Sequence, residues 1–462
     1  MQRIFSNRFF AVGLVALAIL IPLNMISGLV QERQQIHRQA IADMAATSTT
    51  SQQVIGPVLI IACRETYKVD YQDPLSHSLQ RRDATRDRSR FALPTKLVIK
   101  GSLDSDIRSR GIHDALFYTS DLTVQAQSTV PDRFGSGDAD SAVVLGNARL
   151  GMGVRDTRGI LDVPSLEMGQ RTIDFAPGAA LPVLGNGIHA ELGQVLAKQV
   201  IEVAFAVQLR GLEALHVVPL GRQTQLMLAS KWPHPSFVGH FLPTARTITE
   251  HGFEAQWSTS LFSTGLDEIF SRHFVDASTS SEIDNVTFGV TLMDPVDLYT
   301  QTDRATKYAF LFVALTFIAL LGTELARGLQ LHAVQYTLVG VAMAMFFLLL
   351  LSLAEPIGFA LAYVLAASSC IALLGYYLRH TLRSFAIGAS FAATLATLYG
   401  LLYGLLDCED RALLAGSVFV FAVLAGLMVV TRKVDWFALL TPVATAPSVS
   451  ATDARASSPG SP

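Results

Sequence analysis

Residues 334–354 read VQYTLVGVAMAMFFLLLLSLA, a run without one charged side chain. A helix that crosses a bilayer needs about 20 apolar residues, because lipid offers no partner to an exposed backbone N–H or C=O group. This stretch therefore predicts a membrane-spanning helix. Five more stretches have the same character, and Glu324 is their one charged residue; they are Phe9–Val30, Tyr308–Leu325, Ile357–Tyr377, Ser384–Leu406 and Ala412–Val430.

The composition of the whole chain agrees with a membrane protein. Charged residues form 16% of the 462 residues, against about 25% in an ordinary soluble domain, and the mean hydropathy is +0.39. The net charge of −3 gives no reason to expect a nucleic-acid partner. The three cysteines, Cys63, Cys370 and Cys408, show no metal-binding spacing such as C-x-x-C, and whether Cys63 and Cys408 form a disulfide stays open.

The distribution of Lys and Arg predicts the orientation in the membrane. With the N-terminus in the cytoplasm, the two short outer loops, 355–356 and 407–411, carry only Arg411. Both termini are therefore predicted to be cytoplasmic, and residues 31–307 to lie outside the cytoplasm. The cytoplasmic segments carry the other basic residues near the spans, which are Arg3, Arg8, Arg327, Arg379, Arg383, Arg432 and Lys433.

The first span is predicted to be an uncleaved signal-anchor, residues 1–30. Its apolar run exceeds the usual 7–15 residues of a signal-peptide core. Residues 26–30 (ISGLV) offer no A-x-A-like cleavage site. A cleavable signal peptide remains the alternative. The following segment, Glu32–Met44, is polar and predicted to continue the first helix.

The segment 31–307 is predicted to form a large β-rich, sandwich-like domain, with a possible division into two subdomains near 165–190. In Ile201–Leu209, alternate residues are apolar, which is typical of a strand with one buried face. Residues 308–430 are predicted to form a five-helix transmembrane bundle, which makes six transmembrane helices with the first span. The cytoplasmic tail 431–462 is predicted to be disordered after about 437. The predicted strands are Val54–Cys63, Lys96–Ile99, Leu122–Ala126, Val200–Leu209, Thr224–Leu228 and Val286–Leu292.

Motifs for catalysis or cofactor binding do not occur in the sequence. The Gly-x-Gly strings lack the third glycine of a dinucleotide fingerprint, and neither HExxH nor Gly-x-Ser-x-Gly is present. His234 and His240 have a spacing that zinc sites allow, but Pro235 and Phe237 favour a packed loop. We expect no enzyme activity, no cofactor and no metal.

Lys231–Phe237 (KWPHPSF) is the most unusual string outside the spans. Two prolines stiffen the backbone, so that Trp232, His234 and Phe237 could face a partner; a buried corner between strands is the alternative. Arg81–Arg90 mixes arginine with aspartate, which is typical of a solvated loop, although it could also contact anionic head groups or an envelope polysaccharide.

Small residues recur at every fourth position in the fifth span, which places them on one helix face. We expect this face to pack against a neighbouring helix. It consists of Gly388, Ala392, Ala396, Gly400 and Gly404.

Strings along nearly the whole chain, from about 20 to 437, resemble the CreD family of bacterial inner-membrane proteins. The first is Ile21–Arg33 (IPLNMISGLVQER), at the end of the first span. Arg81–Arg90 looks like a local loop variant of the family pattern, and the tail after Phe437 has no counterpart in this resemblance. The other strings are Leu209–Gly211, Ser230–Phe237 with Gly239, Phe241–Pro243, Gly252–Trp257, Asp294–Tyr299 with Arg304 and Lys307-Tyr308, Leu349–Leu353 with Glu355, Glu409-Asp410, Ala412–Ser417, Thr431-Arg432 and Asp435-Trp436.

The resemblance implies an inner-membrane protein of cell-envelope integrity with a periplasmic domain, linked to colicin tolerance and to the β-lactam response. It supplies no catalytic residues. We therefore expect a non-enzymatic protein whose periplasmic domain binds an envelope component or a partner, with Asp294, Pro295 and Asp297 as a coupling connector. The alternatives are a transporter or lipid-handling protein with a cavity lined by Glu324, Glu355, Tyr399 and Tyr403, and an enzyme acting on a lipid-linked or cell-wall substrate. The ligand and the oligomeric state stay open.

Overall fold

A computed structural model of the chain describes residues 2–72, 79–132, 142–273, 280–293, 298–327, 331–381, 384–407 and 412–431. Its contacts divide the chain into two compact units. The bundle unit consists of Met1–Gln34 and Val296–Pro462, and the β domain consists of Gln35–Pro295.

Long apolar helices form where the spans are predicted. Within the described ranges, five helices are long and apolar enough to cross a bilayer. The last predicted span also forms a helix, in which a shorter apolar segment, Gly416–Gly426, is described. The helices are α1 (Gln2–Thr47), α5 (Leu298–Arg327), α6 (Ala333–Ile357), α7 (Phe359–Thr381), α8 (Phe385–Asp407) and α9 (Ala412–Thr431).

Two helix ends differ from the sequence prediction. Helix α5 begins at Leu298 rather than at Tyr308, so its first turns are polar. Helix α6 includes Glu355 and Pro356, which were predicted to form an outer loop. Gly358 ends this helix, because its backbone has a φ of 81° and its N–H donates to the Ala354 carbonyl at 3.0 Å. A glycine accepts this left-handed conformation without steric cost.

The β domain contains sixteen strands in the residues described. Short helices α2 (Leu261–Thr264), α3 (Leu266–His273) and α4 (Ser280–Asn285) lie between the last two strands in sequence. The strands are β1 (Gln52–Gln72), β2 (Leu79–Ala92), β3 (Lys96–Arg110), β4 (His113–Thr129), β5 (Ala142–Val154), β6 (Ser165–Met168), β7 (Arg171–Asp174), β8 (Ala176–Pro177), β9 (Gly187–Gln194), β10 (Val200–Leu212), β11 (Ala214–Val218), β12 (Gln223–Ser230), β13 (Pro235–Gly239), β14 (Ala245–Thr249), β15 (Gly252–Ser260) and β16 (Phe288–Leu292).

The strands form two sheets that pack as a sandwich, which confirms the predicted fold class. Sheet A has the order β13-β16-β11-β1-β5-β9-β8, and β2 pairs with Leu59–Gln72 of β1. Sheet B has the order β14-β15-β12-β3-β4-β10-β6-β7. Leu59 and Ile61 of sheet A and Leu97 and Ile99 of sheet B are fully buried in one shared core. Both sheets contain strands from before and after 165–190, so a subdomain boundary there does not separate them.

The Arg81–Arg90 run is a strand, and its interpretation as a solvated loop was wrong. These residues lie in β2, which pairs with β1 from Leu59↔Ala92 to Gln72↔Leu79. The register places opposite charges across the two strands, and such cross-strand pairs favour pairing. Ion pairs join Arg64 to Asp87 at 2.9 Å, Arg86 to Glu65 at 2.6 Å and Arg81 to Asp70 at 3.2 Å.

Candidate functional site

The outer face of sheet B is polar along its five central strands. In β10, Ile201, Val203, Phe205, Val207 and Leu209 are buried, whereas the residues between them point outward. Successive side chains of a strand alternate between its two faces. The same alternation in β3, β4, β12 and β15 directs amide, hydroxyl and charged side chains to the outer face.

The register of these strands aligns the outward side chains in rows across the sheet. Gln208 donates from Nε2 to Asp121 Oδ1 at 2.7 Å, and Gln127 donates from Nε2 to Glu202 Oε1 at 2.9 Å. With strands about 4.8 Å apart, a row across five strands measures about 19 Å. The four full rows are Glu254, Ala229, Ser102, Asp121, Gln208; Gln256, Met227, Lys100, Thr123, Ala206; Ser258, Gln225, Val98, Gln125, Ala204; and Ser260, Gln223, Lys96, Gln127, Glu202.

Four shallow cavities of about 500, 550, 560 and 510 Å³ lie on this face. Neighbouring cavities share lining residues: Ser102 and Glu254 line the first and second, Asp121 the first and third, and Gln125 the third and fourth. They therefore form one continuous groove, which we call the sheet B groove.

Small side chains leave room along the sheet B groove, while charged ones surround it. Ala204, Ala206 and Ala229 lie in three different rows. Lys100 and Arg246 supply positive charge, and acidic side chains of neighbouring strands balance it. Such a groove can hydrogen-bond hydroxyl and amide groups of a ligand. Within the described part of the chain, no group of three or more His, Cys, Asp or Glu side chains is placed to hold a metal ion.

The residues predicted to face a partner lie where the chain passes from β12 of sheet B to β13 of sheet A. Trp232 is half-buried and donates from Nε1 to the Met293 carbonyl at 2.8 Å. The exposed His234 accepts a backbone bond from Met293 at 3.0 Å, and its ring centroid lies 6.3 Å from that of Trp232. Phe237 is half-buried against the core, with ring centroids 5.7 Å from Phe253 and 5.6 Å from Trp257. The structure thus keeps Trp232 and His234 together and directs Phe237 into packing.

The coupling connector predicted at Asp294, Pro295 and Asp297 lies outside the described residues, as does Cys408. Cys63, its possible disulfide partner, is buried in β1. Burial raises the pKa of the Cys63 thiol, whereas the nearby Arg90 opposes that rise.

The small residues of α8 fall into a group that contacts α7 and a group that faces open space. A Cβ atom on Gly388 would lie 2.8 Å from the Cβ of Arg379 in α7, and one on Gly375 of α7 would lie 3.2 Å from the Ala392 Cβ. This half of the predicted packing face therefore contacts α7. Ala396 is exposed, and a Cβ on Gly400 or Gly404 would meet nothing within 4 Å.

The polar residues that a transport cavity was predicted to use are engaged in packing contacts. Glu324 is only 8% exposed. It accepts bonds from the Tyr336 hydroxyl at 2.7 Å and the Leu331 N–H at 3.1 Å. The Tyr299 hydroxyl donates to Glu355 at 3.4 Å.

Tyr399 and Tyr403 also take part in helix packing. Tyr399 is buried, and its hydroxyl lies 3.3 Å from the Cys370 Sγ. Its carbonyl accepts the Tyr363 hydroxyl at 2.6 Å. The ring centroid of Tyr403 lies 5.1 Å from that of Tyr363. These contacts join α7 to α8.

Spanning helices together with a β sandwich define a multi-pass membrane protein that carries a large β domain. The family model described as "Inner membrane protein CreD" matches residues 5–437. The chain belongs to the CreD family of inner-membrane proteins. It is 36% identical to the inner membrane protein CreD of Escherichia coli (strain K12) over 432 residues, which cover 92% of each chain.

Among solved structures, the chain is similar to an M1 zinc metallopeptidase from Deinococcus radiodurans. A mutant of that protein bound to a Tyr-Ser-Ala substrate gives a TM-score of 0.21 at 6% identity, covering 36% of this chain and 39% of that chain. A further crystal structure of it gives 0.20 at 8% identity, covering 36% and 38%.

Proposed function

We propose that this protein is a non-enzymatic factor of cell-envelope integrity and of the envelope-stress response. Its β domain lies in the periplasm and binds an envelope component or a partner protein, and both termini lie in the cytoplasm. The distribution of Lys and Arg around the spans supports this orientation. The resemblance to CreD proteins supports a role in colicin tolerance and in the response to β-lactams.

The observation that carries the proposal is the sheet B groove. Its side chains are mainly amides, hydroxyls and small residues, with charges of both signs. A groove lined by such side chains selects a polar ligand, because several hydrogen bonds form with it. A ligand without matching donors and acceptors would leave these bonds unmade. A length of about 19 Å across five strands accommodates an extended ligand better than a compact one.

Filling the groove tests the proposal in the full-length protein. Ala206 is exposed on the groove, and Ala62 is also an exposed alanine, in β1 of sheet A. Ala206→Trp blocks the groove, whereas Ala62→Trp adds the same bulk elsewhere. Each variant is expressed in a strain that lacks this gene, and sensitivity to β-lactams and to colicin is measured at matched membrane levels.

We expect Ala62→Trp to restore the wild-type response and Ala206→Trp to fail to restore it. Equal proteolytic resistance of the two variants shows that both β domains are folded. Full restoration by a folded Ala206→Trp protein would rule out the groove as the functional site. Ala204→Trp, one row along the groove, provides a second block with the same expectation.

A further inference from the structure

Three arginines of β2 around Glu65 lie on the face of the strand that continues the buried face of β1, and Arg82 lies further along the same face. Arg86, Arg88 and Arg90 alternate along the strand, so they point to one side. Their cross-strand partners are Glu65, Cys63 and Ile61. Ile61 and Cys63 belong to the core between the two sheets. The three arginines therefore lie at the edge of that core. They belong to sheet A, whereas the groove described above lies on sheet B.

We call the surface formed by Arg86, Arg88 and Arg90 the arginine face. Glu65 is the acidic residue next to these arginines. Its side chain is 3% exposed, and its Oε2 accepts from Arg86 Nε at 2.6 Å and lies 4.0 Å from Arg88 Nε. The hydrogen bond from Arg86 lowers the pKa of Glu65, and the charges of Arg86, Arg88 and Arg90 lower it further, so the carboxylate is ionised. Its other oxygen, Oε1, is buried and finds no donor within the part of the chain that the structure describes.

One carboxylate does not balance three guanidinium groups. Arg86 has a defined partner in Glu65, and its Cζ also lies 4.5 Å from the ring centroid of Tyr67. Arg88 remains 46% exposed at its side chain. On the opposite face of the same strands, Arg64 and Arg81 each pair with their own aspartate. Lys68 of that opposite face lies across from Asp83. Basic and acidic residues therefore balance there, and the excess positive charge lies on the face that carries Arg88 and Arg90.

We propose that the arginine face binds a phosphate ester that bears a neighbouring hydroxyl group. Arg88 and Arg90 bind the phosphate, because guanidinium groups match phosphate oxygens with paired hydrogen bonds. Arg86 stays with Glu65 and positions it. As the exposed Arg88 side chain turns onto the phosphate, the ligand hydroxyl donates to Glu65 Oε1, which completes the hydrogen bonding of this buried carboxylate.

Phosphate esters with adjacent hydroxyls occur both in phospholipid head groups and in soluble sugar or polyol phosphates, and the two sources share this chemistry. The test uses the full-length protein in phosphatidylcholine nanodiscs. Calorimetry measures binding of glycerol 3-phosphate and of inorganic phosphate. Cosedimentation with phosphatidylglycerol-containing vesicles, against pure phosphatidylcholine vesicles, tells whether the ligand is a lipid head group or a free phosphate.

The variants separate the arginine face from general electrostatic attraction. Arg88→Gln with Arg90→Gln should weaken glycerol 3-phosphate binding at least about tenfold, given the strength of hydrogen bonds to charged groups. Arg64→Gln with Arg81→Gln removes two charges from the opposite face of the same strands and should leave the affinity within about twofold. Equal losses in both double variants, or no loss in the first, would overturn the proposal.

Glu65→Gln tests the role of the unpartnered oxygen. We expect the wild-type protein to prefer glycerol 3-phosphate over inorganic phosphate, and Glu65→Gln to lose this preference while still binding inorganic phosphate. Retained binding of inorganic phosphate also shows that the variant is folded. A wild-type protein without the preference would refute the proposed hydroxyl contact.

Discussion

The Asp156 carboxylate holds the Arg158 guanidinium at two points, with Arg158 Nε 2.9 Å from Oδ1 and Nη2 2.7 Å from Oδ2. So held, Arg158 donates from Nη1 to the Ala46 carbonyl at 2.6 Å, in the last turn of α1. Asp156 also accepts the Thr50 N–H at 3.0 Å. A cation at a helix C-terminus satisfies carbonyls that lack an intrahelical partner. This pair therefore fixes the end of α1 within the β domain.

Asp156→Asn should destabilise the β domain. Its side chain is 10% exposed, and the pair lowers the pKa of Asp156 from its ordinary 3.8 to about 2. That shift corresponds to about 2 kcal/mol of folding free energy. Urea unfolding of the full-length protein, followed by tryptophan fluorescence, measures the loss. Asp106→Asn is the control, since Asp106 forms the same kind of pair with Arg108 at an exposed site; an equal loss there would contradict the prediction.

The same pair predicts how stability depends on pH. The pKa of Asp156 is about 2 in the folded protein, against its ordinary value of 3.8, which applies to the unfolded chain. Because folding lowers this pKa, its contribution is complete above pH about 4 and is lost as the pH falls towards 2. The unfolding free energy of the wild-type protein should therefore approach that of Asp156→Asn over this interval. A difference between them that stays constant down to pH 2 would argue against the assignment.

Gly388→Ala should destabilise the contact between α7 and α8. The added Cβ would lie 2.8 Å from the Cβ and 3.0 Å from the Cα of Arg379, so the backbones must separate. Overpacking of this kind costs about 1–3 kcal/mol. Gly404→Ala on the same helix meets nothing within 4 Å and should be neutral. Thermal unfolding of both variants in nanodiscs tests the difference, which should vanish if α8 does not approach α7 at Gly388.

Tyr336→Phe should destabilise the bundle unit, because it removes a 2.7 Å hydrogen bond from the buried Glu324. Loss of a buried partner to a carboxylate costs about 1–3 kcal/mol. Tyr376→Phe is a suitable control, since Tyr376 in α7 is 66% exposed. The measurement is unfolding in mixed micelles with increasing SDS. Matching midpoints for the two variants would mean that this hydrogen bond does not stabilise the bundle.

The spanning helices could be predicted from the sequence because the requirement for apolar residues is local. The strands were found for a similar reason, as in Ile201–Leu209, where alternation marks a buried face. Strand β2 could not be recognised this way. Its charges become favourable only opposite those of β1, and this register, Glu65↔Arg86 for example, is a non-local property.

The sheet B groove was missed for the same physical reason. Ser102, Asp121 and Gln208 form part of one row, but they lie on strands far apart in sequence. Each is an ordinary polar residue of a strand by itself. The outward positions of β10 could be identified from the alternation in the sequence. Only the order of the strands in the sheet shows that they lie beside the outward residues of β4 and β3.

Strand β11 lies between β1 and β16, which are the first and last strands of the β domain. It pairs in parallel with Gln52–Ile55 of β1 and antiparallel with β16. During synthesis, this edge of β1 stays unpaired until residues 214–218 have emerged from the ribosome, and the other edge of β11 stays unpaired until β16 has followed. The domain therefore closes late, at the place where its two ends meet, and a chain interrupted before Leu292 leaves β11 with an unprotected edge open to aggregation.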